Sequence, residues 1–245
     1  MKLLTKEFDA KAEAKPLSDV VGECAPTGSR NIDELLGKGI PLGLIAHVYG
    51  PPGVGKTNLC LTTAVECAKK GKKVLFVDTE GGFRVERFLQ ICKDADVAKR
   101  IMLKQVRDFE EQKELVRNLR RIVNKDFGLV IFDSFVSLYR LEVSGTRREI
   151  LELSRELGRQ LGKLSKIARD FNLAVMLSNQ VYASFDEDGE KEVVPVGGDV
   201  LLYWSKLSLE LEKLGPGQRK ATLIKHPYAA EGKHIKFRIT KNGLE

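Results

Sequence analysis

Short apolar runs alternate with segments of helical spacing through most of the chain. Runs bounded by turn residues predict buried strands over residues 44–50, 73–78, 100–106, 128–133 and 172–180. Between them, apolar positions three and four apart predict helices over residues 56–71, 84–92, 108–123 and 147–171. Because each parallel pair of strands needs a crossover, strands that alternate with helices predict an α/β fold with a mainly parallel twisted sheet.

In the last part of the chain, apolar and polar residues tend to alternate. This pattern predicts antiparallel strands at the C-terminal edge of the sheet, over residues 201–213, 220–226 and 234–240. The chain contains no internal repeat and no sign of a second core, so we predict one domain over residues 23–245. Residues 1–22, rich in Lys, Ala and Glu, predict a flexible N-terminal arm.

The composition excludes some classes of protein but does not identify the function by itself. The 245 residues carry a formal net charge of +7, which permits an anionic partner such as nucleic acid. No apolar run approaches the roughly 18 residues of a membrane span, and the charged N-terminus is unlike a secretory signal. The four cysteines form no CxxC pair, so we expect reduced thiols and a cytoplasmic protein without a membrane partner.

The segment GPPGVGKT matches the phosphate-loop pattern G-x-x-x-x-G-K-[ST], and it stands between a predicted strand and a predicted helix, as that motif requires. Its backbone N–H groups would converge on phosphate oxygens at the positive end of the helix. Lys56 would reach the outer phosphates, and the Thr57 hydroxyl would bind Mg²⁺. The predicted ATP-binding residues are Gly50, Pro51, Pro52, Gly53, Val54, Gly55, Lys56 and Thr57.

Two carboxylates follow neighbouring predicted strands. Asp133 ends the apolar run LVIFD, where open α/β sheets bind ligands, and we predict that it is the second Mg²⁺ residue. Glu80 comes two residues after another strand, and we predict that it activates the water that attacks the terminal phosphate. Alternatively, Asp133 is a turn residue and Glu80 a surface acid. A small-molecule kinase would need a lid bearing arginines, and no segment resembles one.

Six segments together resemble the RecA/RadA recombinase superfamily over residues 22–245. In chain order they are TGSRNIDELLGKGIPLG, GPPGVGKT, DTEGGFRVER, LVIFDS, SNQV and PVGG. The resemblance implies a RecA-type P-loop ATPase core. Because the chain is too short to include the helical N-terminal DNA-binding domain of RadA, we expect an archaeal paralogue of RadA that begins almost at the ATPase core.

The resemblance also implies roles for individual residues. Arg87 would stack on adenine, and Gln180 would sense the terminal phosphate and act with Glu80 and Lys56 in catalysis. Arg147 and Arg148 would lie in the first DNA-binding loop, although both also suit the solvated first turn of a helix. Lys225 occupies a position where the family commonly has an acid, and it would contact the ATP of a neighbouring subunit; alternatively, it is an exposed lysine at the end of a strand. At Arg87 and Gln180, a solvated helix charge and a strand-end cap are the alternatives.

The second DNA-binding loop of the family would contain the acidic segment DEDGEKE, residues 186–192, whose net charge is −4. DNA affinity depends on cations at the contact, so an acidic loop there argues against strand exchange. Three interpretations of the segment are open: a gate that weakens DNA binding, a docking surface for a basic partner, or a soluble hairpin tip.

We therefore predict a weak ATPase that uses ATP and Mg²⁺, binds single-stranded DNA weakly, and assists a RadA-type recombinase or another recombination protein. Self-association into a homo-oligomer is left open. Two other hypotheses are a KaiC-like regulatory ATPase without a DNA role and a DNA-binding module with a vestigial nucleotide pocket. The intact Lys56, Glu80 and Asp133 argue against a vestigial pocket.

Overall fold

A nine-stranded sheet forms the centre of the molecule, in a computed structural model that describes residues 22–144, 146–185, 191–195 and 198–245. The strands are β1 (Cys24–Ala25), β2 (Ile40–Pro41), β3 (Ile45–Tyr49), β4 (Lys73–Asp78), β5 (Ile101–Gln105), β6 (Phe127–Asp133), β7 (Ala174–Asn179), β8 (Val181–Phe185), β9 (Lys191–Pro195), β10 (Leu207–Lys213), β11 (Gln218–Lys225), β12 (His234–Thr240) and β13 (Gly243–Leu244). The helices are α1 (Arg30–Leu35), α2 (Lys56–Lys69), α3 (Val85–Ile91), α4 (Ala95–Ala98), α5 (Phe109–Ile122), α6 (Ser137–Glu142), α7 (Arg147–Phe171) and α8 (Gly198–Trp204).

The sheet is parallel over most of its width and antiparallel at one edge. Its order is β13-β12-β11-β10-β3-β7-β6-β4-β5. The pairs from β10 to β5 are parallel, and those from β10 to β13 are antiparallel. This arrangement confirms the predicted fold class, because the carboxyl ends of β3, β4, β6 and β7 meet at one edge, where such sheets bind ligands.

Each face of the sheet is covered by its own apolar core. On one side α2 contributes buried side chains, among them Leu59, Leu61 and Val65, against the antiparallel edge and the central strands. On the other side α5 and α7 pack their apolar stripes, such as Leu119, Leu161 and Leu164. The 25-residue helix α7 begins with a capping box in which Thr146 and Glu149 bond each other's backbone, so its start agrees with the sequence prediction. In the described ranges, no helix is long and apolar enough to cross a membrane.

The prediction for residues 201–213 is wrong in its first part. Gly198–Trp204 forms α8, and only Leu207–Lys213 is a strand. Leu201 is fully buried, and the Trp204 ring lies so close to α7 that a Cβ at Gly162 would stand 3.2 Å from it. Packing against α7 therefore decides the helix. The strand β10 is also antiparallel on one side only, because it pairs in parallel with β3 on the other.

The acidic segment lies between the two strands of a separate hairpin. Strands β8 and β9 pair antiparallel, with Phe185 opposite Lys191. Residues 186–190 lie outside the described residues, as do residues 1–21 of the predicted arm. The flanking strands agree with the hairpin interpretation of the segment, whereas its relation to DNA stays a prediction.

Candidate nucleotide site

The phosphate loop, residues 50–57, joins the carboxyl end of β3 to the first turn of α2. Gly53 and Gly55 have φ angles of 72° and 112°, which a side chain would strain. With these angles the loop curls over the N-terminus of α2, where unpaired N–H groups attract anions. The loop lines a cavity of about 240 Å³. The charged and polar side chains that line it include Lys56, Thr57, Glu80, Asp133, Ser134, Ser178 and Gln180.

Lys56 is folded back onto its own loop. Its Nζ donates hydrogen bonds to the carbonyl oxygens of Gly50 at 2.8 Å and Pro51 at 3.0 Å. Burial lowers the pKa of the Lys56 ammonium, and the nearby carboxylates of Asp133 and Glu80 oppose that shift. A phosphate oxygen offers this ammonium a full negative charge in place of two neutral carbonyls.

Asp133 has hydroxyl partners at the end of β6. Ser178 of β7 donates a hydrogen bond to its Oδ1, and the Thr57 hydroxyl forms another with the carboxylate. Burial raises the pKa of Asp133, and these two hydrogen bonds oppose the shift. One carboxylate and one hydroxyl form a hard oxygen pair of the kind that Mg²⁺ uses when it keeps several waters and binds substrate phosphates. Within the described ranges, no group of three or more His, Cys, Asp or Glu side chains is placed to hold a metal ion.

Glu80 is held in place from three sides. The Asp78 carboxylate accepts backbone N–H bonds from Glu80, Gly82 and Phe83, which fixes the turn after β4. Ser134 Oγ donates to Glu80 Oε1 at 2.7 Å. Gln180 Nε2 lies 3.1 and 3.2 Å from the two carboxylate oxygens. The structure thus brings together the predicted residues Glu80 and Gln180, which are separated by 100 positions.

Two serines of the site were not predicted from the sequence. Ser134 and Ser178 stand in the segments LVIFDS and SNQV, beside Asp133 and ahead of Gln180. Their place in those segments was a signal, but serine after or within a strand is too common to indicate a role by itself. Their contacts with Glu80 and Asp133 depend on the order of β4, β6 and β7 in the sheet.

Arg87 lies at the side of the site, on α3. Its Nε donates to Asn58 Oδ1 at 2.7 Å, and its Nη atoms donate to the carbonyls of Thr240 and Lys241, each at 2.9 Å. Asn58 lines the cavity. The guanidinium is therefore positioned next to the site by α2 and by the end of β12, and its stacking on adenine stays a prediction.

The remaining predicted residues lie away from the cavity. Arg147 and Arg148 are exposed in the first turn of α7, and Arg148 makes a 3.4 Å ion pair with Glu152. This placement agrees with a solvated helix start and leaves both guanidinium groups accessible. Lys225, at the end of β11, donates to the Leu202 carbonyl of α8 at 2.7 Å. Its contact with a neighbouring subunit stays a prediction.

Comparison with known proteins shows the family to which the chain belongs. The model of the Rad51 family matches residues 20–245. The chain therefore belongs to the Rad51 family, whose members bind nucleotides and depend on Mg²⁺ in general.

Within that family the chain is similar to DNA repair and recombination proteins named RadB. It is 39% identical to RadB of Methanosphaera stadtmanae over 94% of this chain and 99% of that protein. It is 41% identical to RadB of Methanobrevibacter smithii over 89% and 94% of the two chains. A crystal structure of the RadB recombinase matches with a TM-score of 0.76 at 37% identity, and covers 90% of this chain and 98% of that chain. These likenesses confirm the predicted membership of the superfamily, and the paralogue of RadA that the sequence resembles is RadB.

Proposed function

We propose that the protein binds ATP with Mg²⁺, hydrolyses it slowly, and uses this cycle to assist DNA recombination beside a RadA-type recombinase. The observation that carries the nucleotide part is the convergence of Lys56, Thr57, Glu80 and Asp133 on one cavity at the carboxyl edge of the sheet. These residues come from three separate segments of the chain, yet each has the chemistry that phosphoryl transfer requires.

The first step of the mechanism is an exchange of partners by Lys56. Its ammonium leaves the carbonyls of Gly50 and Pro51 and binds the outer phosphates, while the N–H groups of the loop bind the inner ones. Thr57 and Asp133 would hold Mg²⁺, which would neutralise charge that develops on the phosphate oxygens. Asp133 must be ionised for this role, and its hydrogen bond from Ser178 favours that form.

Glu80 would then take a proton from the attacking water. Its two oxygens already accept three hydrogen bonds, from Ser134 and Gln180. While Gln180 is bound to Glu80, fewer lone pairs of the Glu80 carboxylate are free to accept a proton from the water. This arrangement supports slow turnover. Gln180 directly precedes strand β8, and we expect it to sense the terminal phosphate and to transmit its presence into the segment that follows.

Two substitutions separate binding from hydrolysis. We expect Lys56→Ala to lose most ATP affinity and all turnover, because it removes the cation that faces the phosphates. Glu80→Gln should bind ATP nearly as the parent does and stop turnover, since it keeps the shape and removes the base. Calorimetry with Mg-ATP and a phosphate-release assay measure the two quantities. Parental turnover by Glu80→Gln would refute the role of Glu80 as the base.

The DNA role is supported by the names of the similar proteins and by the accessible cations at the start of α7. The acidic segment 186–192 argues for accessory function over strand exchange, because it would repel the DNA backbone. Binding of single-stranded DNA, titrated with salt in the presence and absence of ATP, tests this part. A steep salt slope that depends on nucleotide supports it, and no binding at low salt contradicts it.

A further inference from the structure

An arginine from the antiparallel edge of the sheet reaches the back of the phosphate loop. Arg219 stands near the start of β11 and is 8% exposed. Its Nε donates to the carbonyl oxygen of Val54 at 2.8 Å, and its Nη2 donates to that of Gly53 at 3.3 Å. Both acceptors belong to residues 50–57, although they lie more than 160 positions away in the chain. Neither Arg219 nor Val54 is among the residues that line the phosphate cavity, so the guanidinium reaches the loop from outside that cavity.

The same guanidinium also binds the turn between β10 and β11. Its Nη1 donates to the carbonyls of Gly215 at 3.2 Å and Gln218 at 2.9 Å. One planar group therefore ties two loops together through four neutral oxygens. A lysine could not do the same, because its ammonium lacks the rigid fork of donors.

The backbone of the phosphate loop rests directly on these C-terminal strands. A Cβ at Gly50 would stand 2.3 Å from the carbonyl oxygen of Leu211 in β10. A Cβ at Gly55 would stand 2.5 Å from the Ile239 side chain of β12. At Gly50 and Gly55 the loop therefore lies against the antiparallel edge without room for a side chain.

Arg219 is also a buried charge that has no counterion among the described residues. Across the described parts of the chain, no carboxylate lies within 4.0 Å of its guanidinium nitrogens. Neutral carbonyl partners offset only part of the desolvation cost of a buried cation, and a nearby anion lowers that cost further. The phosphates of a nucleotide in the loop would supply such an anion on the other side of the peptide groups that Arg219 binds.

We propose that Arg219 is a positioning residue for nucleotide binding, which anchors the phosphate loop from behind and adds a positive charge to the phosphate site. The inference rests on the proposed ATP binding and extends it to the antiparallel edge of the sheet. Hydrogen bonds from a cation to the carbonyls of Gly53 and Val54 orient those peptides and polarise the loop toward the bound anion.

Substitution by methionine removes the donors and the charge but keeps an unbranched apolar side chain. We expect Arg219→Met to bind Mg-ATP about 10-fold or more weakly than the parent, as the loss of charge-assisted hydrogen bonds predicts. Arg238→Met is the matched control. This substitution removes the same charge from an exposed position on the adjacent strand β12. Its ATP affinity should stay within about twofold of the parental value. Equal affinity in Arg219→Met and the parent would overturn the proposal.

A second measurement does not depend on ATP. Amide hydrogen exchange over residues 53–57 of the nucleotide-free protein should be faster in Arg219→Met than in Arg238→Met, because the anchor is lost. Unchanged exchange in that segment would overturn the anchoring role. Failure of the parent to bind ATP would refute the proposed function instead, while the exchange experiment would still decide whether Arg219 anchors the loop.

Lysine at the same position keeps the proposal testable if the methionine variant does not fold. Arg219→Lys retains the charge and loses the fork, so its ATP affinity should fall by at least about threefold. A purely structural role would lower the melting temperature and leave affinity unchanged in the folded protein. Parental affinity in folded Arg219→Lys would therefore count against the proposal.

Discussion

His47 should make the stability of the protein depend on pH between about 6.5 and 3. It lies in the middle of β3 and is fully buried, with its ring 5.0 Å from that of Tyr49. Within the described residues, neither ring nitrogen has a hydrogen-bond partner. Burial lowers its pKa from 6.5 to about 3, because the imidazolium would be desolvated without compensation.

The sign of the effect follows from which state binds the proton. Below pH 6.5 the unfolded chain protonates this histidine, whereas the folded chain does not until the pH approaches 3. Stability is therefore lost as the pH falls through this window. Linkage with these two pKa values gives a loss of about 2 kcal/mol between pH 7 and pH 5. At an m-value of about 2 kcal/mol/M, this loss lowers the urea midpoint by roughly 1 M.

Urea unfolding of the parent and of His47→Leu at pH 7 and pH 5 measures this contribution. Leucine fills the site and cannot titrate, so the variant should lose about 2 kcal/mol less than the parent between the two pH values. Comparing the two losses cancels the contribution of every other titrating group. His234→Gln, at an exposed position at the start of β12, is the control for replacing a histidine elsewhere in the chain. Equal losses in the parent and His47→Leu would refute the reasoning.

Two further predictions concern contacts outside the single chain. Lys225→Ala should hydrolyse ATP slowly by itself. Its activity should recover when it is mixed with Lys56→Ala protein, because the intact Lys225 of that variant would complete the ATP site of a neighbouring Lys225→Ala subunit. Normal activity of Lys225→Ala alone at high protein concentration would show that no such contact exists. Replacing the five acids of segment 186–192 by Asn or Gln should raise the affinity for single-stranded DNA. This gain in affinity should become smaller as salt is added, because salt shortens the Debye length, which is about 8 Å at physiological ionic strength. ATP affinity should not change, and a DNA affinity that is the same before and after the substitution at every salt concentration would exclude an electrostatic gate.

Local patterns were enough to predict most of the elements. The strand over Lys73–Asp78 and the helix over Arg147–Phe171 begin and end where the sequence predicts. The helix is long and amphipathic with a capping box, and the strand is an unbroken apolar run before an acid, so neighbouring residues carry the information. Residues 201–204 were predicted wrongly, since their helix depends on packing against α7 and not on their own alternation.

The phosphate loop could be predicted from local sequence, because Gly50 to Thr57 are contiguous and their chemistry depends on local backbone geometry. The positions of Glu80 and Asp133 after two strands also predicted that both lie at the edge of the sheet where the nucleotide would bind. The hydrogen bonds of Gln180 and Ser134 to Glu80, and those of Arg219 to the phosphate loop, became visible only in the fold. These contacts join residues that are 54 to 165 positions apart, and a one-dimensional pattern carries no information about which strands become neighbours in the sheet.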